Sequence, residues 1–170
     1  MHERARHFTA AGLLRGGRKR AGGEEGVALV EFALVLPVLA LLLFGLLDFG
    51  KGFNYWIDET HLANEGARWA VVNRNPASSG TLQEYIKSQA TTGELRNGGT
   101  PSVPNPLQVC ISFPAGTSNP GDPVRVTLES TYQWLGVLTS QVPGLTQTTI
   151  RGQSTMRLEA APTNYTAGCA

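Results

Sequence analysis

Three neighbouring side chains, Asp58, Glu59 and His61, are of the types that hold metal ions or transfer protons. The chain has three histidines in all, and the other two, His2 and His7, lie near the N-terminus. One imidazole and two carboxylates lack the further partners that a metal centre or a catalytic site needs. We interpret them as a solvated helix face. Since no nucleophile, base and oxyanion site are arranged in the sequence either, we expect no metal and no enzymatic activity.

A second motif, GLLDFGKG at residues 45–52, resembles the start of a nucleotide-binding loop. The magnesium-binding Ser or Thr is missing, and no strand precedes the motif. We therefore reject a nucleotide site and expect no cofactor.

The most informative spacing is that of Gly26 and Glu31, five positions apart, behind a basic leader and at the start of an apolar run. This arrangement resembles the processing site of type IV prepilins, which a membrane peptidase cuts after the glycine. The resemblance implies cleavage between Gly26 and Val27. A carboxylate at an apolar boundary costs free energy unless it is paired, and the free α-amino group of a neighbouring subunit would pair with Glu31. The alternative is that Glu31 only reaches to the membrane surface.

The apolar run at residues 27–47 is the element that must position these groups. It would reach about 31 Å as a helix, which matches the hydrocarbon thickness of a bilayer. Residues 1–26 carry a net charge of +3 and residues 27–170 a net charge of −2. Basic residues before a spanning helix stay in the cytoplasm, so residues 1–26 are predicted to be a cytoplasmic leader and the C-terminal part to be extracytoplasmic. The leader has too few apolar residues to fold, so we expect it to be disordered. The leader has no aromatic interleaving, so a nucleic-acid partner is not expected.

The helical pattern continues past the membrane segment. Apolar or small residues recur every three or four positions, as on one face of a helix. They are Phe49, Phe53, Trp56, Thr60, Ala63, Ala67 and Ala70. We predict one helix over about residues 27–72, of which 27–48 span the membrane and 49–73 continue outside.

Residues 74–170 are predicted to form an extracytoplasmic α+β domain. Thr81 is typical of a helix N-cap, here of a short helix at 82–91, and a turn-rich loop at 93–106 follows. Period-two alternation begins at Leu107 and returns near 124 and 148, which predicts three or four strands. Consecutive strands favour an antiparallel sheet packed on the long helix. Together with the resemblance to type IV prepilins, this arrangement implies a pilin-like fold. Cys110 and Cys169 both lie in this domain, where an oxidising compartment would let them pair.

Five short motifs lie within residues 26–72: Glu31-Phe32, Leu36-Pro37, Phe44-Gly45, Asp48-Phe49-Gly50 and Glu65-Gly66-Ala67-Arg68. With these motifs, residues 26–72 resemble the TadE-like family of the tight-adherence pilus system. Glu65 and Arg68 are spaced to pair, and Gly66 would allow close approach of the β-domain, although an ordinary solvated face is an equal interpretation.

The resemblance implies a minor pilin-like subunit (pseudopilin) of a Flp-type pilus assembly or secretion system in the bacterial cytoplasmic membrane. Its expected partners are membrane lipid, a prepilin peptidase, other pilin-like subunits and the pilus assembly platform. The alternative is an uncleaved, membrane-anchored binding module of the cell envelope.

Overall fold

The computed structural model of the chain describes residues 24–134 and 147–170. The predicted disorder of the leader falls almost wholly on residues 1–23, outside the described residues. The chain divides after Ala40 into two compact units.

The long helix α1 runs from Glu24 to Val71 and contains Pro37. It starts three residues before the predicted start at 27 and ends one residue before the predicted end at 72. Asn73 follows with a positive φ of 51°, and its backbone N–H donates to the Ala70 carbonyl oxygen at 3.1 Å. Asparagine tolerates this left-handed conformation better than most residues, which accounts for the helix ending there.

Two short helices connect α1 to the sheet. The first, α2 (Leu82–Ser88), begins with a capping box in which Thr81 and Glu84 bond each other's backbone N–H groups. It ends three residues before the predicted position 91. The second, α3 (Gly93–Asn97), lies where the sequence predicted only a loop, and it is capped by the Thr92 side chain.

Four antiparallel strands form one sheet in the order β3-β2-β1-β4. They are β1 (Gln108–Ser112), β2 (Pro123–Gln133), β3 (Gln147–Arg157) and β4 (Gly168–Cys169). The architecture confirms the predicted α+β fold, with a long N-terminal helix packed on a small antiparallel sheet.

The sheet has one apolar side and one polar side. Along β2, buried residues alternate with partly exposed ones such as Arg125 and Glu129. The buried side faces α1 and the short helices, and it is built mainly of Val109, Ile111, Val124, Val126, Leu128 and Tyr132. The hydrophobic core therefore lies between the sheet and the helices.

The buried face of α1 differs from the predicted stripe in its first half. Phe49, Phe53 and Trp56 are 61%, 50% and 47% exposed, so this part of the prediction is wrong. The face that packs on the domain consists of Gly52, Tyr55, Glu59, Leu62, Ala63, Gly66, Ala67 and Ala70. Most of these residues are small, because a helix can lie close to a sheet only where its side chains leave room.

The closest approach is between α1 and β3 at Gly152. A Cβ atom added there would lie 2.3 Å from the Glu59 carbonyl carbon and 2.6 Å from the Thr60 backbone nitrogen. Backbone atoms cannot move aside as the end of a flexible side chain can. Gly152 is therefore required by the packing of the helix on the sheet.

A disulfide joins Cys110 of β1 to Cys169 of β4, with an S–S distance of 2.03 Å. The two residues lie opposite each other in the register of the strands. Since β4 has only two residues, the disulfide and the pairing of Val109 with Ala170 hold the last residues of the chain to the sheet.

Replacing Gly152 with alanine should destabilise the sheet domain by about 1–3 kcal/mol, the usual cost of overpacking a filled core. The matched control is Gly93→Ala, because a Cβ at Gly93 meets nothing within 4 Å. The free energy of unfolding, measured by urea titration in detergent, should fall for the first variant and change by less than about 0.5 kcal/mol for the second. Equal stabilities would show that α1 does not lie on Gly152.

Candidate functional site

The residues with the prepilin-like spacing lie in the first turns of α1. Gly26 is within the helix, not before it, and apart from the nearby helix backbone no described atom lies within 4 Å of a Cβ placed there. Val27 is 58% exposed and Phe32 59% exposed, and Glu31 is also exposed. No described residue forms an ion pair with Glu31. All four residues are therefore accessible from outside the chain.

The large apolar side chains of the first half of α1, from Val27 to Leu47, are exposed. The helix is long and apolar enough to cross a membrane. An 18-residue segment of it has a mean hydropathy of 2.7, and none of this segment is buried by the described chain. A core helix of a globular domain would be covered by its own chain. This exposed apolar helix suggests that the protein is anchored in a membrane.

Polar contacts hold the sheet domain to α1 just after the apolar run. The Tyr132 hydroxyl donates to Asp48 Oδ1 at 2.6 Å. Lys51 Nζ lies 2.7 Å from Glu94 Oε2, which also accepts a hydrogen bond from the Tyr55 hydroxyl. The bonds from Lys51 and Tyr55 lower the pKa of the Glu94 carboxyl, so this carboxyl stays ionised and keeps α3 against the helix.

Glu59 is buried, so its interpretation as part of a solvated face is wrong. Its side chain is fully covered, and Glu59 Oε1 accepts a hydrogen bond from Ser130 Oγ at 2.5 Å. The other oxygen, Oε2, has no hydrogen-bond partner in the described part of the chain. Burial raises the pKa of Glu59 to about 8, against the lowering effect of the Ser130 bond, and the nearby charge of Asp58 raises it further. The carboxyl is therefore mostly protonated at neutral pH.

Asp58 and His61 do not converge on Glu59. The Asp58 carboxylate accepts hydrogen bonds from the backbone N–H and the hydroxyl of Thr91, at 2.9 and 2.8 Å. His61 is exposed, and its Nδ1 lies 4.0 Å from Glu65 Oε2. Within residues 24–134 and 147–170, no group of three His, Cys, Asp or Glu side chains could hold a metal ion. The arrangement positions α2 and α3 and does not form a reaction centre.

The predicted packing residues Gly66 and Arg68 lie in different environments. Gly66 is buried, and a Cβ there would lie 2.6 Å from Ile86 Cδ1 of α2 and 3.3 Å from Val126 Cγ1 of β2. Arg68 is exposed. The structure therefore places Gly66 in the helix–domain contact and leaves Arg68 on the surface.

The sequence reasoning missed the buried Glu59 and the contact between Asp48 and Tyr132. A signal for the first was present: Glu59 continues the three- and four-residue spacing of Tyr55, Leu62 and Gly66. The spacing was not interpreted as burial because Glu59 is acidic, and acidic residues are rarely buried.

Comparison with known proteins agrees with this description of α1. The sequence model of the TadE-like protein family matches residues 26–68, all of them within α1. No curated protein and no solved structure matches the chain. The family match confirms the resemblance predicted from Glu31-Phe32 and Glu65-Gly66-Ala67-Arg68. It indicates a protein associated with the Tad pilus, in a family that is structural and is not known for enzymatic activity.

Replacing Glu59 with glutamine should remove a pH dependence of stability. The pKa of Glu59 is about 8 in the folded state, above the ordinary value of 4.5. Between pH 4.5 and pH 8 the folded state therefore binds a proton at Glu59 that the unfolded state does not. The stabilisation is complete below pH 4.5 and is lost as the pH rises through 8, with a slope of at most about 1.4 kcal/mol per pH unit. Urea titrations at several pH values between 5 and 8 measure this slope.

The control for this experiment is Glu65→Gln, on the more exposed side of the same helix. It should keep the wild-type slope, whereas Glu59→Gln should give a flatter profile. A wild-type slope in the Glu59→Gln variant would mean that another group titrates.

Proposed function

We propose that the chain is a minor pilin-like structural subunit, a pseudopilin, of a Tad- or Flp-type pilus assembly or secretion system. The observation that carries the proposal is the uncovered apolar helix α1, whose candidate membrane span begins at Gly26, where the TadE-like match also begins. Residues 1–26 act as a cytoplasmic leader, 27–48 span the cytoplasmic membrane once, 49–73 continue the helix outside, and 74–170 form the extracytoplasmic domain.

The exposed apolar surface accounts for how such a subunit is used. In the membrane, residues 27–47 are solvated by lipid. When a subunit leaves the bilayer, the same surface must be buried against similar helices, because water would otherwise contact it. Other pilin-like subunits and the pilus assembly platform are therefore the expected partners. The energy for this step comes from the assembly machinery.

Glu31 supplies the polar part of the same interface. It is exposed, within the apolar surface, and close to the proposed new N-terminus at Val27. A carboxylate inside an apolar contact is costly unless an opposite charge pairs with it, and cleavage after Gly26 would create such a charge on each subunit. Pairing Glu31 with the α-amino group of a neighbour would set the register of the helices, with Phe32 packed beside it.

The orientation follows from the charges and the cysteines. The excess of positive charge in residues 1–26 favours a cytoplasmic N-terminus. The disulfide between Cys110 and Cys169 fits a domain in an oxidising compartment outside the cytoplasm.

If a prepilin peptidase processes the chain, the protein from bacterial membranes should begin at Val27. The variant Gly26→Val should keep its leader, because a bulky side chain then precedes the scissile bond. The control is Gly22→Val, which changes a glycine of the same leader and should still be cut. N-terminal sequencing of the three proteins measures the outcome. An intact leader on the wild-type protein would support the uncleaved, membrane-anchored binding module instead.

Replacing Glu31 with alanine should leave membrane insertion unchanged and impair assembly. The loss of one partner of a buried charge pair costs on the order of 3 kcal/mol, which is roughly a hundredfold in association. Cross-linking to other pilin-like subunits and sedimentation with the membrane fraction measure the two properties. Glu24→Ala is the control, since residue 24 is removed with the leader. Normal cross-linking in the Glu31→Ala variant would exclude the pairing role.

A further inference from the structure

A row of exposed aromatic rings follows the apolar run of α1. Phe49, Phe53 and Trp56, which we call the aromatic strip, are each about half exposed or more. Their ring centroids are 6.4 Å apart between Phe49 and Phe53 and 5.6 Å apart between Phe53 and Trp56. Phe49 also stacks on Trp134, at the end of β2, at 6.2 Å. The rings thus form one continuous apolar surface.

The domain core packs on a different face of α1 from the one that carries the aromatic strip. At the same level of the helix, Gly52 and Tyr55 are buried on another side. A Cβ at Gly52 would lie 3.1 Å from the Trp134 ring, and Tyr55 packs edge-on against Tyr132 at 5.7 Å. The helix therefore already has its domain contact. Phe49 touches the domain through Trp134, whereas Phe53 and Trp56 are left about half exposed.

The level of the strip matches the boundary of a bilayer. Residue 48 ends the proposed membrane span, and Trp56 lies about 12 Å beyond it along the helix. The headgroup layer on each side of the hydrocarbon is about 5–8 Å thick. Side chains on a helix lean toward its N-terminus, so the Trp56 ring reaches back toward this layer. Ile57 is the last exposed large apolar residue before Val72, and the exposed residues between them, such as His61 and Asn64, are polar. Within the strip itself Asn54 is an exposed polar residue. The polar boundary therefore follows directly after the strip.

Charged groups at the level of the strip indicate that this part of α1 lies outside the hydrocarbon layer. The ion pair of Lys51 with Glu94 is about one-third exposed on both sides, which is too costly within the hydrocarbon layer. Aromatic rings beside exposed charges are typical of the membrane–water interface, where Trp and Tyr are enriched.

We propose that the aromatic strip lies in the headgroup region of the outer leaflet and holds the sheet domain at the membrane surface. The occupant of this surface is lipid, not a second copy of the chain, because the strip continues the uncovered apolar helix and ends where the exposed surface of α1 becomes polar. This inference rests on the proposed anchoring by residues 27–48.

The test places an environment-sensitive fluorophore in the full-length protein in phosphatidylcholine and phosphatidylglycerol vesicles. The native cysteines are joined in a disulfide, so Trp56→Cys provides a single thiol for the label. The control is Asn64→Cys, also exposed and two turns further along α1. Spin-labelled lipids with the nitroxide at the headgroup or deep in the acyl chain act as quenchers.

The label at position 56 should emit at shorter wavelength than the label at position 64, and the headgroup nitroxide should quench it more than the deep one. Position 64 should behave as a site in water. A water-like signal at both positions would overturn the inference. A second result would also overturn the inference: the label at position 56 is shielded, but the shielding weakens when the protein is diluted in lipid and the nitroxides do not quench the label. That result would mean that a second copy of the chain, and not lipid, covers the strip.

Alkaline extraction of the same vesicles separates this inference from the proposed function. If the protein remains in the membrane while position 56 is in water, only the headgroup contact is wrong. If the protein is extracted, the anchoring by residues 27–48 is wrong, and the headgroup contact falls with it.

Discussion

The structure of the sheet domain depends on the contact between the α1 backbone at Glu59 and Thr60 and Gly152 of β3. At this distance no side chain fits between the helix and the strand. The contact fixes which face of α1 is covered, and therefore also which face is left to other molecules. Phe49, Phe53 and Trp56 are exposed because the small residues of the helix, not the large ones, meet the sheet.

The buried carboxyl of Glu59 is a consequence of the same contact. Its hydrogen bond to Ser130 ties the helix to β2, while burial favours the protonated form. Among the described residues Glu59 Oε2 has no hydrogen-bond partner, and a buried polar atom left in this way costs about 1–3 kcal/mol. The helix is therefore held here by shape and by a neutral acid, whereas at Asp48 and Lys51 it is held by charged groups.

The sequence predicted the parts of the molecule that follow from local patterns. The apolar run, the alternation in β1 and β2 and the cap at Thr81 were sufficient for the α+β fold and for the family resemblance. It predicted the buried Ala63, Ala67 and Ala70 but not the buried face of α1 before them. The hydrophobic stripe selects large apolar residues, whereas a close contact with a sheet selects glycine and alanine. Glu59 was misassigned for a related reason: its charge outweighed its position on the buried face.

The family match and the uncovered helix concern the same residues, so the functional account depends on whether that helix spans a membrane. The most direct measurement is protease digestion of spheroplasts that contain the chain with a C-terminal tag. The account predicts that the tag and the sheet domain are digested from outside in intact spheroplasts, while a cytoplasmic marker survives. Protection of the tag until the spheroplasts are lysed would contradict it.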